Sequence, residues 1–156
     1  MFPTDLLVAR RVGCGLRLTS KKRLLETLAE LLASADTRLT PEVVFDHLIE
    51  RERLGSTGLG HGIALPHARI PTVTESIGAF VQLSDGVDYD AIDNIPVDLA
   101  FALLVPKDAN EMHLQMLSRL ATMFSDPGLR ADLRDAPSSG ALLDSLQGWQ
   151  CPSDKA

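Results

Sequence analysis

The spacing of apolar positions changes along the chain, and each spacing predicts an element. Over residues 20–34, SKKRLLETLAELLAS, Leu24, Leu25, Leu28, Leu31 and Leu32 recur at helical intervals, with Ser20 placed as N-cap. Residues 40–53 predict a second helix: Thr40 caps it, Pro41 takes the first helical position, and Val44, Leu48 and Ile49 supply the stripe. Gly55 lies just beyond, where a helix-ending glycine is expected. The run STGLGHGIALPHARIP then breaks the period with three glycines, a short apolar run Ile63–Leu65, Pro66 and two histidines, and reads as a loop leading into a short strand and out again. Residues 77–83 and 97–105 read as strands, the second apolar almost throughout and so buried on both faces. Residues 111–124 predict a strongly periodic helix with Asn110 as N-cap. Asp126-Pro127 opens a shorter one, and Ser138 or Ser139 a last one ending near Gly148. Helices precede, interrupt and follow the strands, so the class is α/β, a single domain built on a mixed sheet covered by helices. The segment from Gln150 reads as a loose tail.

Composition narrows the function classes. With 156 residues, 45% hydrophobic and 23% charged, the chain is ordinary for one globular domain, which excludes collagen-like, disordered and coiled-coil classes. Aromatics at 4% argue against a base-stacking surface, and a net charge of −6 against a constitutive nucleic-acid binder. No apolar run reaches the roughly 18 residues of a bilayer span. The N-terminus, MFPTDLLVARR, has no basic region ahead of an apolar one, so a cytoplasmic protein is expected. Cys14 and Cys151 sit at opposite ends without a CxxC pair, which fits a reducing compartment. Residues 1–23 hold Arg10, Arg11, Arg17, Lys21, Lys22 and Arg23 against one acid, Asp5. That is either a docking patch for an acidic partner or a solvated basic edge.

Candidate chemistry rests on the four histidines. His47, mid-helix beside Asp46, reads as an ordinary helix residue. His67 follows Pro66, whose ring stiffens the backbone entering it, and glycines at 58, 60 and 62 leave room for a partner to approach the ring. His113 lies in the first turn of its helix, in register with Leu117, Leu120 and Phe124. There the helix dipole disfavours an imidazolium and favours a bound anion. On the residues alone each is equally a structural histidine with a satisfied hydrogen bond. No P-loop, dinucleotide fingerprint or nucleophile elbow competes, and a metal site from His61, His67 and His113 matches no common zinc spacing.

The run RERLGSTGLGHGIALPHAR, residues 51–69, resembles the active-site segment of phosphotransferase-system enzyme IIA domains of the mannitol/fructose type. AIDNIPVDLAFALLVP and HLQMLSRLA further on, with SKKRLLETLAELLA and PEVVFDHLIERERLGSTG before, resemble the nitrogen-related branch of that family over roughly residues 12–147. The resemblance implies one enzyme IIA type-2 domain, a mixed sheet with helices on both faces. It implies a cytoplasmic phosphocarrier that accepts a phosphoryl group on His67, through Nε2, from a histidine phosphocarrier protein and regulates target proteins by its phosphorylation state. Targets of the kind this family touches are potassium transport systems, sensor kinases and metabolic enzymes. His113 takes the place of the second active-site histidine and Arg51 that of the charge-neutralising arginine. No cofactor, metal, nucleic acid or membrane is implied. Two residues depart from the pattern: Ala68 stands where the family usually has glycine, and His61 where Asn or an acid is expected. A stand-alone fructose- or mannitol-specific component, a binding module that is never phosphorylated, and a metal-dependent hydrolase on the three histidines are the alternatives.

Overall fold

The computed structural model describes residues 6–108 and 111–149. Its first regular strand is one the apolar pattern does not announce. Val12–Leu16 (β1, VGCGL) pairs in parallel with Ile77–Val87 (β5), although two glycines dilute its alternation. The helices follow the periodicity. Lys21–Ala33 (α1) starts where the Ser20 side chain accepts from Arg23 N–H, and Pro41–Arg53 (α2) where Thr40 accepts from Val43 N–H. Each cap satisfies one of the amide groups that a helix start leaves unpaired.

The glycine-rich run forms three short strands rather than one. They are Gly58–Gly60 (β2), Ile63–Ala64 (β3) and His67–Ile70 (β4), with Pro66 separating the last two. Both β3 and β4 pair in parallel with Val97–Pro106 (β6), one after the other along its length, and β2 folds back antiparallel on β3. β5 runs antiparallel to β6 and extends to Val87, past the predicted end at Leu83. The result is a mixed six-stranded sheet in the order β1-β5-β6-β3-β2, with β4 beside β6. Glu111–Phe124 (α3), Pro127–Asp135 (α4) and Ser139–Gly148 (α5) complete the chain. Asp126 caps α4, and Ser138, not Ser139, caps α5. The predicted cap Asn110 and the tail from Gln150, Cys151 included, lie outside the described residues.

Helices cover both faces. On one, Leu24, Leu25, Leu28, Leu32, Val44 and Leu48 of α1 and α2 pack on Ala68, Ile70, Ala100 and Leu104. On the other, Leu120, Met123 and Phe124 of α3 and Leu129, Leu133, Leu142 and Leu146 of α4 and α5 pack on Phe80, Leu99, Phe101 and Leu103. β6 is buried at every position but Asp98 and Pro106, as its apolar run requires.

The N-terminal basic segment is not one patch. Arg11 is buried, and its guanidinium donates to the carbonyls of Gly78 and Leu6. A buried guanidinium persists only with such partners, so this residue is a clamp across the core rather than a docking charge. Lys21 is also engaged inward, 3.0 Å from Glu52 Oε2 and over the Tyr89 ring. Arg10, Arg17, Lys22 and Arg23 remain exposed.

Candidate functional site

Two elements bring the principal residues together. Arg51 stands in the last turn of α2, and His67 opens β4. The β4 backbone is zipped to β6, with His67 opposite Leu103 and Pro66 C=O accepting from Leu103 N–H at 3.0 Å. Strand alternation turns Ala68 and Ile70 into the α1–α2 core and gives His67 and Arg69 the opposite side.

The imidazole of His67 has one dominant tautomer. Nδ1 lies 2.9 Å from Leu65 C=O, an acceptor only, so Nδ1 carries the proton. Nε2 therefore keeps its lone pair, and Arg51 Nε–H donates to it at 3.3 Å. Burial of the ring is the largest influence on its protonation and holds it below the ordinary 6.5. Leu65 C=O and Glu52 pull the other way, while Arg51 adds to the lowering. The second arm of Arg51 is anchored on Gly55 C=O at 3.0 Å. His67 opens onto a depression of about 430 Å³ whose rim includes Leu54, Leu114 and Leu117 and whose walls carry Arg69 and His47 beside Arg51. Glu50 also lines it, and Leu54 is 84% exposed and Leu114 59%, so exposed apolar side chains stand beside a polar lining in which, among the described residues, Arg51 and Arg69 outnumber the one acid.

The other residues singled out in the sequence fall differently. His113 lies in the first turn of α3, as expected, but its side chain is outside the described residues. His61 is exposed in the left-handed region with φ 57°, its N–H donating to Asp93. It lines a separate depression with Asp98 and Arg134 that shares no residue with that of His67. Among the described residues no cluster of metal-ligating side chains occurs. The loop glycines do not clear a path to His67. A Cβ on Gly58 would strike Ala91, one on Gly60 would press on the Asp93 carboxylate, and one on Gly62 would meet Arg134 and Asp98. Gly60 and Gly62 also take φ values of 93° and 81°, which a side chain rarely adopts. Ala68 sits in regular strand with its methyl in the core, so nothing at that position requires glycine.

His47 and Arg69 line the depression without any sequence signal that placed them there. A buried polar cluster behind Arg51 was equally silent. Glu52 accepts from Lys21, Thr57 and Tyr89, and Tyr89 stands 37 residues away with no motif linking the two. Burial and the Glu52 charge raise the Tyr89 phenol far above its usual range, which keeps it an O–H donor.

Comparison with known proteins identifies the family of the chain. A nitrogen regulatory protein of Pseudomonas aeruginosa is 46% identical over 123 residues, 79% of this chain and 80% of that one. One of Escherichia coli is 44% identical over 147 residues, 94% and 87% respectively. The crystal structure of nitrogen regulatory protein IIA-Ntr from Neisseria meningitidis superposes with a TM-score of 0.86 at 39% identity, over 91% of this chain and 97% of that one. Residues 5–148 match the family described as phosphoenolpyruvate-dependent sugar phosphotransferase system, EIIA 2. A match of that length, on a chain whose fold and sequence both follow nitrogen regulatory relatives, places the protein in the EIIA 2 family of phosphotransfer proteins.

Proposed function

We propose that the protein is a phosphocarrier of the nitrogen-related phosphotransferase branch, taking a phosphoryl group onto Nε2 of His67 from a histidine phosphocarrier protein. The observation that carries this reading is the pair of bonds on the imidazole: Nδ1 is committed to Leu65 C=O, and Nε2 faces Arg51. A nucleophilic nitrogen must be unprotonated, and burial keeps this ring neutral at cellular pH. In the transfer an Nε2–P bond forms as the P–N bond of the donor phosphohistidine, protonated on its other ring nitrogen, breaks. The donor leaves as neutral imidazole, and His67 carries the phosphoryl group with its Nδ1 proton still donated to Leu65 C=O. Phosphoryl transfer asks the protein for position and charge neutralisation. Arg51 is poised to move from the Nε2 lone pair to the phosphoryl oxygens, for which its planar fork is suited. His113, in the first turn of α3, supplies a further donor to the same group.

The exposed Leu54 and Leu114 beside Arg51 and Arg69 suit a protein partner carrying a phosphoryl group. The proposed outcome is regulation of target proteins in the cytoplasm; the relatives' name, nitrogen regulatory protein, supports the regulatory part. A phosphoryl group adds negative charge at this surface and so changes which partners it accepts.

The test is direct. The protein is incubated with phosphoenolpyruvate, enzyme I and a histidine phosphocarrier, and its intact mass is measured. The reading expects one acid-labile phosphoryl adduct, absent in His67→Ala. No adduct with donors that phosphorylate a control protein would overturn it and leave a binding module.

A further inference from the structure

We infer that Glu52 is the positioning residue of this site, fixing both the acceptor imidazole and the arginine beside it while touching neither. The inference rests on the proposed role of His67 and Arg51.

Glu52 has a side chain only 4% exposed, and its carboxylate is saturated with donors. Lys21 Nζ lies 3.0 Å from Oε2 and the Tyr89 hydroxyl donates to Oε1 at 2.9 Å. The Thr57 N–H donates at 3.3 Å, and the Thr57 hydroxyl donates to Oε1 as well. These donors come from the start of α1, the residue entering β2 and the loop after β5, so one carboxylate ties three separate segments to the end of α2. Lys21 and Tyr89 are also bound to each other, the ammonium donating to Tyr89 C=O at 3.2 Å and lying 4.3 Å from the ring centroid.

Two routes lead from this hub to the reacting groups. The first is short. Glu52 follows Arg51 in the chain, and Glu52 C=O accepts from Gly55 N–H at 3.1 Å, while Gly55 C=O accepts the Arg51 guanidinium at 3.0 Å. Fixing Glu52 thus fixes the turn against which Arg51 is braced. The second route runs through Thr57. Its N–H is held by Glu52, its C=O accepts from Leu65 N–H at 3.0 Å, and Leu65 C=O accepts the Nδ1 proton of His67 at 2.9 Å. The carbonyl that sets the tautomer of His67 is therefore two hydrogen bonds from the Glu52 carboxylate, and the imidazole itself three. The two routes meet where Arg51 Nε–H contacts His67 Nε2. A surface acid would need none of this, and a purely structural one would have no reason to reach both partners of the reacting pair.

Glu52→Gln keeps the shape and removes the charge, so it is the variant to make. Two readouts separate positioning from bulk stability: the ring 15N shifts of His67 at pH 8, where the imidazole is neutral, and the rate of phosphoryl uptake resolved by donor concentration. In folded Glu52→Gln the Nδ1–H tautomer is expected to lose population. The saturated rate is expected to fall roughly ten- to a hundredfold, the scale of a misplaced reacting group, with the half-saturating donor concentration little changed. Wild-type ring shifts with a wild-type rate would overturn the inference, as would a fall in apparent donor affinity alone. Should Glu52→Gln fail to fold, Thr57→Val and Tyr89→Phe each remove one hydroxyl from the carboxylate. The inference then requires a smaller tautomer shift in both, and wild-type shifts in both overturn it. If the wild-type protein takes up no phosphoryl group, the proposed function falls, while the ring shifts still decide whether Glu52 orients His67.

Discussion

Arg51 and His67, sixteen residues apart in the chain, meet through a single bond from the guanidinium Nε–H to the unprotonated Nε2. The contact puts a permanent cation against the nitrogen proposed to carry the phosphoryl group. Arg51→Ala should slow phosphoryl uptake by roughly ten- to a hundredfold, the value of one charge-assisted hydrogen bond of about 1.5–3 kcal/mol. Arg51→Lys should recover only part of this, because an ammonium lacks the fork. Rapid-quench measurement of the adduct checks it, with thermal unfolding showing that the fold persists; an unaltered rate would remove Arg51 from the mechanism.

Burial of His67 has a consequence for pH. Its folded midpoint lies below 6.5, while the unfolded ring titrates near 6.5. Between those values the unfolded chain binds more protons, so stability rises with pH. The His67 contribution is complete above about 6.5 and is lost as the pH falls through the folded midpoint. A His67→Gln variant should lack that part of the slope. Urea midpoints from pH 5 to 8 check the slope, and an NMR titration of His67 checks the folded value. A midpoint at or above 6.5 would contradict the burial argument.

What could be read from the sequence differs by element, for physical reasons. The helices announce themselves because leucines at helical spacing coincide with capping residues, as at Ser20, Thr40 and Asp126. β1 does not, because VGCGL owes its strand state to its parallel partner β5 and to Gly13 fitting against Leu16 and Val81. β4 is four residues long, too short for alternation to register. His67 stands out in the sequence through Pro66 before it, but its role and that of Arg51 are expectations from a resemblance to a family segment; nothing in their spacing shows that they touch. Lys21 and Glu52 behind them come from segments whose meeting is purely tertiary.

Ala68, which stands where the resemblance leads one to expect glycine, makes a further test. It is 6% exposed in regular strand, paired in register with Leu104. Ala68→Gly should destabilise the protein by roughly 0.5–1 kcal/mol, since glycine loses more backbone freedom and packs no methyl in a strand. Phosphoryl uptake should stay within about twofold, as the backbone at His67 is held by β6 whichever residue follows. A stabilised protein or a much faster transfer would mean that the alanine constrains the site. Chemical denaturation and the adduct assay together decide.

Arg11 tests the reinterpretation of the basic N-terminal segment. Arg11 is 4% exposed, and its guanidinium donates to Gly78 C=O at 2.9 Å and Leu6 C=O at 3.2 Å, linking the chain start to β5. Truncation to alanine strips charged donors from buried carbonyls and leaves a gap, a loss of about 2–3 kcal/mol. Its neighbour Arg10 is exposed, and Arg10→Ala should stay within about 0.5 kcal/mol of the wild type. Urea midpoints of the two variants, measured side by side, check the contrast. If both arginines act as docking charges, the two midpoints coincide and only partner binding changes. If Arg11 is a core clamp, its variant alone shifts, and any effect on partners follows from the fold.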